Sequence, residues 1–182
     1  MQLFYNSELD STLKTFTFSK DESRHIVKVL RKSTGDLLQI TNGKGWLFEA
    51  EIVIPNHNKC VVNILNSAFK APKSYAINLA VAPTKMNERY EWFLEKATEI
   101  GADRIIPIIC QNSERKVIKT ERFEKILQSA MKQSLHSYLP ELAPAISFSE
   151  FIKAPQEGLS FIAHCEAVEK LKFKDQIKPD IS

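Results

Sequence analysis

Polar residues cluster in three segments of the chain, each directly after a run of residues that favours a β-strand. The segments are residues 83–89, 111–116 and 164–166. In an open parallel sheet, ligands bind outside the carboxyl ends of the strands, so the three segments are expected to converge on one pocket. Polar residues are also common in ordinary surface loops, and the pattern alone leaves that alternative open.

A second cluster of candidate binding residues lies in a stretch predicted to be helical, residues 19–32. At about 100° per residue, one side of that helix collects the basic side chains Arg24, His25, Lys28, Arg31 and Lys32. The apolar residues at positions 26, 27, 29 and 30 fall on the other side. A cationic face can contact phosphate groups, but a solvated basic face on an amphipathic helix has the same pattern.

Other kinds of catalytic or metal site find little support in the sequence. His25 and His136 have no acidic or cysteine partner at ligand spacing, so we expect no metal. Ser113 lacks the flanking glycines of a nucleophile elbow, and no Ser-His-Asp arrangement emerges. The neighbours Glu114 and Arg115 are as consistent with an ion pair as with a catalytic pair. The residue pattern alone therefore predicts no particular reaction.

The first seventy or so residues are predicted to form a small β-barrel that carries the basic helix. Strand-forming residues recur in five stretches: 2–5, 15–18, 36–41, 46–54 and 60–65. Ser19 is the expected N-cap of the helix, and Gly35 lies beyond its end. The sequence Ala71-Pro72-Lys73 breaks the pattern. We therefore expect one domain at residues 1–72 and a second at 73–182.

The second part alternates strand and helix, which predicts an α/β fold with a parallel sheet. Strands are expected at 77–82, 105–110 and 159–163. One helix is expected from its cap Asn87 to Gly101, with Ile100 among its apolar positions, and another from its cap Thr120 to a point before Pro140. A short helix is expected at 149–154. The order β-α-β-α-β implies right-handed crossovers between parallel strands.

The composition is that of a globular protein without a strong overall charge. Hydrophobic residues make up 43%, and the net charge is +3, so any RNA contact must come from local clusters. The cysteines Cys60, Cys110 and Cys165 are far apart, which is typical of free thiols in a reducing compartment. No secretory signal and no apolar run long enough for a bilayer is present. These features predict a cytoplasmic protein without a membrane partner.

Four overlapping or successive segments resemble the ribosomal RNA small subunit methyltransferase E family. They are HIVKVLRKSTGD (25–36), AVAPTKMNERYEWFLEK (80–96), EKATEIGADRIIPIICQNSERK (95–116) and QSAMKQSLHSYLPEL (128–142). The resemblance implies a PUA-like barrel followed by a SPOUT methyltransferase domain, the α/β class with a trefoil knot. It also implies S-adenosylmethionine as methyl donor, a homodimer, and methylation of uridine N3 in 16S rRNA of the small ribosomal subunit.

The same resemblance implies roles for individual residues. The catalytic candidates are Lys85, Glu114 and Arg115, with Arg115 expected to stabilise an anion. The RNA contacts would be Arg24, His25, Lys28, Arg31, Lys32 and Arg89. The methyl donor would contact His164, Cys165 and Glu166. The motif at Gln133-Ser134 departs from the family, because His136 stands where an arginine is usual.

The family's glycine-rich knot loop and its later arginine-bearing segment do not occur in this sequence. The resemblance therefore predicts that this stretch by itself is an inactive fragment, with no detectable binding of S-adenosylmethionine and with weakened dimerisation. Two other functions stay open: a non-catalytic RNA-binding module, and a SPOUT enzyme that methylates tRNA. An assay of methyl transfer by the purified chain distinguishes an enzyme from a non-catalytic module. A methylation assay that compares tRNA with small ribosomal subunits as substrates distinguishes the two kinds of enzyme.

Overall fold

The computed structural model describes residues 2–163 and 173–176 of the chain. Its N-terminal half holds five strands: β1 Leu3–Tyr5, β2 Thr15–Thr17, β3 Leu37–Thr41, β4 Trp46–Ile54 and β5 Val61–Phe69. They form one sheet in the order β1-β3-β4-β5-β2. The β1–β3 pair is parallel and the other pairs are antiparallel. Two register shifts between β4 and β5 help to bend the sheet into a half-barrel.

The helix of this half is fastened to the sheet through a buried serine. Helix α1, Lys20–Arg24, begins at the predicted cap, where Ser19 Oγ accepts a hydrogen bond from the Glu22 N–H. Ser23 is fully buried. Its hydroxyl donates to the Phe18 carbonyl at 3.2 Å and accepts from the Cys60 N–H at 2.8 Å. One turn of α1 is therefore fixed to two parts of the half-barrel.

The prediction of one helix over residues 19–32 is right at its start and wrong at its end. After α1, His25–Val29 forms a single π-helical turn, and Arg31 has a left-handed φ of 56°. A π turn has more residues than an α turn, so the side chains after it change direction. Val29, predicted on the buried side, is 64% exposed as a result. Arg31 follows the helical segment and does not share a helix face with Arg24.

The C-terminal half is a parallel sheet with helices, as predicted. Its elements are β6 Asn78–Val81, α2 Asn87–Glu99, β7 Arg104–Ile109, α3 Thr120–Gln133, β8 Glu141–Leu142, β9 Ile146–Ser147, α4 Phe148–Phe151 and α5 Phe173–Gln176. β6, β8 and β9 all pair with β7 in parallel. Helices α2 and α3 pack on one face through a buried core that includes Tyr90, Leu94, Ile105 and Leu127.

The predicted strand at residues 159–163 is wrong. These residues have no regular structure, and Leu159 and Ile162 are 72% and 82% exposed. The strand beside β7 is supplied by the short β8 and β9, which Pro144 separates in the sequence. Proline has no N–H for a strand ladder, so it interrupts the pairing. Two-residue strands are too short for a periodicity argument to detect.

The starts of three helices and the burial of one residue also differ from the sequence predictions. The N-caps of α2 and α3 are Met86 and Lys119, each one residue before the predicted cap. Helix α4 begins with a capping box at Ser147, and Ile100, predicted on the buried face of α2, is 68% exposed. Gly101 closes α2 with a φ of 81°, as expected.

No helix within the described ranges is long and apolar enough to cross a membrane.

Backbone hydrogen bonds join the two halves at one place, which we call the interlock. It consists of the β3–β4 turn, residues 41–45, and the segment after α3, residues 137–139. The Gly45 N–H donates to the Ser137 carbonyl at 2.9 Å, and the Leu139 N–H donates to the Gly43 carbonyl at 2.9 Å. Because both sides contribute backbone atoms, the interlock holds the two halves in a defined orientation.

Two side-chain contacts flank the interlock. The Tyr138 hydroxyl donates to the Lys70 carbonyl at 2.7 Å. Lys132, near the end of α3, lies 3.1 Å from Glu22 of α1, and both side chains are about one-third exposed or less. The C-terminal end of α3 is therefore attached to the half-barrel and to its helix.

Replacing Gly45 with alanine should break the interlock. Gly45 has a φ of 94°, and a Cβ there would overlap the Tyr138 hydroxyl and lie 2.9 Å from the Lys70 carbonyl oxygen. Gly158 is the matched control, with a φ of 80° and no atom within 4 Å of its would-be Cβ. A left-handed backbone costs an L-residue about 1–2 kcal/mol, which bounds the loss for Gly158→Ala.

For Gly45→Ala we expect a loss of about 2–4 kcal/mol in the free energy of unfolding, since steric overlap adds to the backbone cost. Urea unfolding of both variants measures the difference. Equal losses in the two variants would show that the close approach at Gly45 is unimportant.

Candidate functional site

The loops that follow β6 and β7 lie side by side, as the carboxyl ends of neighbouring parallel strands require. Lys85 Nζ, in the first loop, lies 2.9 Å from Glu114 Oε2 in the second. Arg115 Nη2 donates to the backbone carbonyl of Lys85 at 2.9 Å. The structure therefore brings together the three residues that the sequence singled out as catalytic candidates.

The three side chains differ in their exposure to solvent. The Lys85 and Glu114 side chains are 78% and 59% exposed, so their ion pair contributes at most about 1 kcal/mol. Arg115 Nε is buried and has no hydrogen-bond acceptor among the described residues. A buried donor without an acceptor carries a desolvation cost. Arg115 as a whole is partly exposed, so an anionic group could pair with the remainder of its guanidinium.

Hydrogen bonds beneath the loops fix their shape. The Ser113 hydroxyl accepts from the Cys110 N–H at 2.9 Å, so Ser113 shapes the second loop. The Tyr90 hydroxyl donates to the Val81 carbonyl at the end of β6, at 3.3 Å. Burial raises the pKa of Tyr90, so the phenol stays neutral. These side chains support the candidate site from below.

An ion pair between Glu91 of α2 and Arg122 of α3, which we call the clamp, holds the two loops where they lead into these helices. Sequence reasoning missed it. Arg122 Nε lies 2.7 Å from Glu91 Oε1, and Arg122 Nη2 donates to Glu91 Oε2 at 2.9 Å. The Glu91 side chain is only 17% exposed. This ion pair contains one hydrogen bond, from Arg122 Nη2 to Glu91 Oε2, and it joins the N-terminal parts of the helices that follow the loops. No periodic signal links residues so far apart in the chain.

The predicted RNA-binding residues of α1 and its π turn lie away from this site. Lys132 contacts Glu22 of α1 at one end of α3, whereas Arg122 lies beside α2 and the loops at the other end. From Arg122 to Lys132 an α-helix rises about 15 Å. The basic segment and the three catalytic candidates are thus at opposite ends of α3.

The basic side chains themselves are engaged to different degrees. Arg24, Lys28 and Arg31 are exposed. His25 Nε2 lies 2.9 Å from Gln2 Nε2, and Lys32 Nζ lies 4.0 Å from Asp36 Oδ1. The first three are therefore the more accessible to a phosphate.

The remaining candidates are placed as follows. Arg89 is exposed in the first turn of α2, at the same end of the α/β half as Lys85. His164, Cys165 and Glu166, the predicted donor contacts, lie outside the described residues. His136 Nε2 donates to the Glu99 carbonyl at 3.0 Å and so supports the end of α2. In the described part of the chain, no group of His, Cys, Asp and Glu could hold a metal ion.

Replacing Glu91 with glutamine should weaken the clamp and lower stability. A hydrogen-bonded contact to a charged group contributes about 1.5–3 kcal/mol, and the amide keeps part of it, so we expect a loss of about 1 kcal/mol. Glu88→Gln is the control, because Glu88 is exposed on the same helix and makes no ion pair with a described residue. Urea unfolding provides the measurement; losses of the same size in both variants would rule out a special role for Glu91.

Comparison with known proteins identifies both halves of the chain. A family model described as an RNA methyltransferase domain matches residues 71–181, and one described as an RNA methyltransferase PUA domain matches residues 18–65. Ribosomal RNA small subunit methyltransferase E of Buchnera aphidicola subsp. Acyrthosiphon pisum is 31% identical over 149 residues. That match covers 78% of this chain and 58% of the relative, so the chain spans less than two thirds of that protein's length.

Solved structures show the same similarity. A probable rRNA-methyltransferase from Porphyromonas gingivalis is 38% identical with a TM-score of 0.77, covering 85% of this chain and 65% of that one. A putative methyltransferase from Legionella pneumophila, solved with bound SAM, is 25% identical with a TM-score of 0.83, covering 95% and 73%. Because the methyltransferase model alone matches more than half of the 182 residues, the chain belongs to the RNA methyltransferase family that includes ribosomal RNA small subunit methyltransferase E.

Proposed function

We propose that the protein containing this chain methylates N3 of one uridine in 16S rRNA of the small ribosomal subunit, with S-adenosylmethionine as methyl donor. The observation that carries the proposal is the contact of Lys85, Glu114 and Arg115 at the carboxyl edge of the parallel sheet. Family membership supports the reaction class. The proposal includes a PUA-like domain at residues 1–72, a methyltransferase domain at 73–182, and a cytoplasmic homodimer.

The chemistry of uracil explains why cations belong at such a site. Uracil N3 carries a proton and is a poor nucleophile until that proton leaves. The resulting anion spreads its charge over the neighbouring carbonyl oxygens. A guanidinium held in place by the Lys85 carbonyl would stabilise that charge without having to reorganise.

Lys85 and Glu114 have a second role in the proposal. Their ion pair is exposed and therefore weak. An RNA phosphate that approaches the edge can compete with Glu114 for Lys85, which would draw the target nucleotide toward Arg115. Arg89, exposed at the start of α2, would contact the neighbouring backbone. Orientation of the base is then fixed by groups from two adjacent loops.

The donor would bind at the same edge, and it supplies an electrophilic methyl group on a sulfonium centre. Half-buried Ile109 at the end of β7 pairs with Ser147 of β9, which offers an apolar strand end to an adenine ring. His164, Cys165 and Glu166 are the proposed further contacts. They are proposed on the resemblance to the family and lie outside the described residues.

Primer extension on 16S rRNA tests the proposal, because a methyl group on uracil N3 blocks base pairing and stops reverse transcriptase. In a strain that lacks the gene we expect the stop at the modified uridine to disappear. Reintroducing the complete reading frame should restore it. The same reading frame with Arg115→Ala should restore the stop at least about 100-fold more slowly. This is the effect expected when one preorganised donor that stabilises the developing charge is lost.

Lys153→Ala is the control, since Lys153 is exposed and lies outside the two loops. It should restore the stop at the wild-type rate. A stop that persists in the deletion strain would refute the proposed reaction. Full activity of the Arg115→Ala reading frame would refute the proposed role of Arg115 but not the proposed reaction.

A further inference from the structure

The separation between the basic segment and the catalytic candidates has to be bridged if one RNA contacts both. Glu22 of α1 meets Lys132 at the C-terminal end of α3, and the loops with Lys85 and Arg115 lie at its N-terminal end. The interlock prevents the half-barrel from simply folding over onto the loops. The surface of α3 connects the two regions, since its ends contact Glu22 and Glu91.

One side of α3 presents a row of polar and basic side chains. Arg122, Lys125, Ser129 and Lys132 recur at three- and four-residue spacing, which places them on one side of an α-helix. The first three are exposed and Lys132 is partly exposed. The opposite side is the buried one, where Phe123, Leu127, Ala130 and Met131 are each at most 2% exposed.

Lys119 extends the row toward the candidate site. It is exposed and occupies the N-cap position of α3, directly after the loop that holds Arg115. A cation at a helix N-terminus is disfavoured by the helix dipole. Within the described ranges neither Lys119 nor Lys125 forms an ion pair, whereas Arg122 and Lys132 pair with Glu91 and Glu22. Lys119 and Lys125 are thus the cations of this row that an external anion can reach without competition.

Of the acidic side chains of α3, Glu121 is exposed four residues before Lys125, at the border of the row, and forms no ion pair with a described residue. Glu124 lies on another side of the helix, where it lines a separate cleft together with Tyr5 and Glu141. The row therefore combines accessible positive charge with a hydroxyl donor, Ser129, which is the usual chemistry of contacts to a nucleic-acid backbone.

We infer that this row, which we call the α3 track (Lys119, Arg122, Lys125, Ser129 and Lys132), binds the RNA backbone between the half-barrel and the candidate active site. From Lys119 to Lys132 the track is about 20 Å long. A stacked strand places a phosphate about every 3.4 Å, so the track corresponds to roughly six nucleotides. The inference rests on the proposed function, because it assumes an RNA substrate.

The salt dependence of RNA binding tests the α3 track. The probe is a fluorescently labelled fragment of the 16S rRNA decoding region, and anisotropy gives its affinity for the purified chain over a series of salt concentrations. The logarithm of the binding constant falls linearly as log salt rises. Each phosphate contact that is lost makes that negative slope shallower by about 0.7–0.9. We expect the double variant Lys119→Gln/Lys125→Gln to have a slope that is shallower than that of the wild type by about 1.5.

The control is Lys14→Gln/Lys153→Gln, which removes the same charge from two exposed lysines outside α1 and α3. Its slope should equal that of the wild type. A double variant of the track that keeps the wild-type slope, or changes it no more than the control does, would overturn the α3 track and leave the proposed function intact. No binding of the probe by the wild-type chain would instead overturn the RNA-binding part of the proposed function.

Discussion

The interlock is the contact on which the arrangement of the molecule depends. Two backbone hydrogen bonds between the β3–β4 turn and the segment after α3 fix one end of α3 against the half-barrel. Gly45 allows this approach, because any side chain there would meet Tyr138. The N-terminal end of α3, where Arg122 meets Glu91 of α2, lies about 20 Å further along the helix axis.

The candidate site is built at that far end. Parallel pairing of β6 with β7 places their following loops together. The ion pair of the largely buried Glu91 with the half-exposed Arg122 holds the N-terminal parts of α2 and α3 together. The loops can therefore carry exposed, weakly paired charges such as Lys85 and Glu114 without losing their shape. Binding groups that are weakly paired can exchange partners, which a site for a charged substrate requires.

Sequence reasoning reached the features that depend on local periodicity and capping. It predicted Ser19 as a cap, the parallel sheet, and helices α2 and α3 with their buried stripes. It could not predict the π turn after Arg24, the short strands on either side of Pro144, or the pair of Glu91 and Arg122. The π turn is a local change of helix type that an α-helical period does not reveal, and the short strands and the ion pair depend on contacts between distant parts of the chain.

Resemblance to a family added what spacing could not, namely a reaction class and the pairing of a PUA domain with a methyltransferase domain, both of which the comparisons confirmed. It gave no information on where the basic segment lies relative to the loops. That relation comes from the two ends of α3, which contact Glu22 and Glu91 respectively.

The most direct test of this account is the distance between α1 and the start of α2 in solution. Spin labels at Lys20 and Glu88, both exposed, would be placed in a background whose native cysteines are replaced by alanine, and pulsed electron-electron double resonance would give the distance distribution. We expect one narrow peak beyond about 15 Å, as the length of α3 requires. A broad or double distribution, or a shorter distance, would contradict the claim that the interlock holds the two surfaces apart.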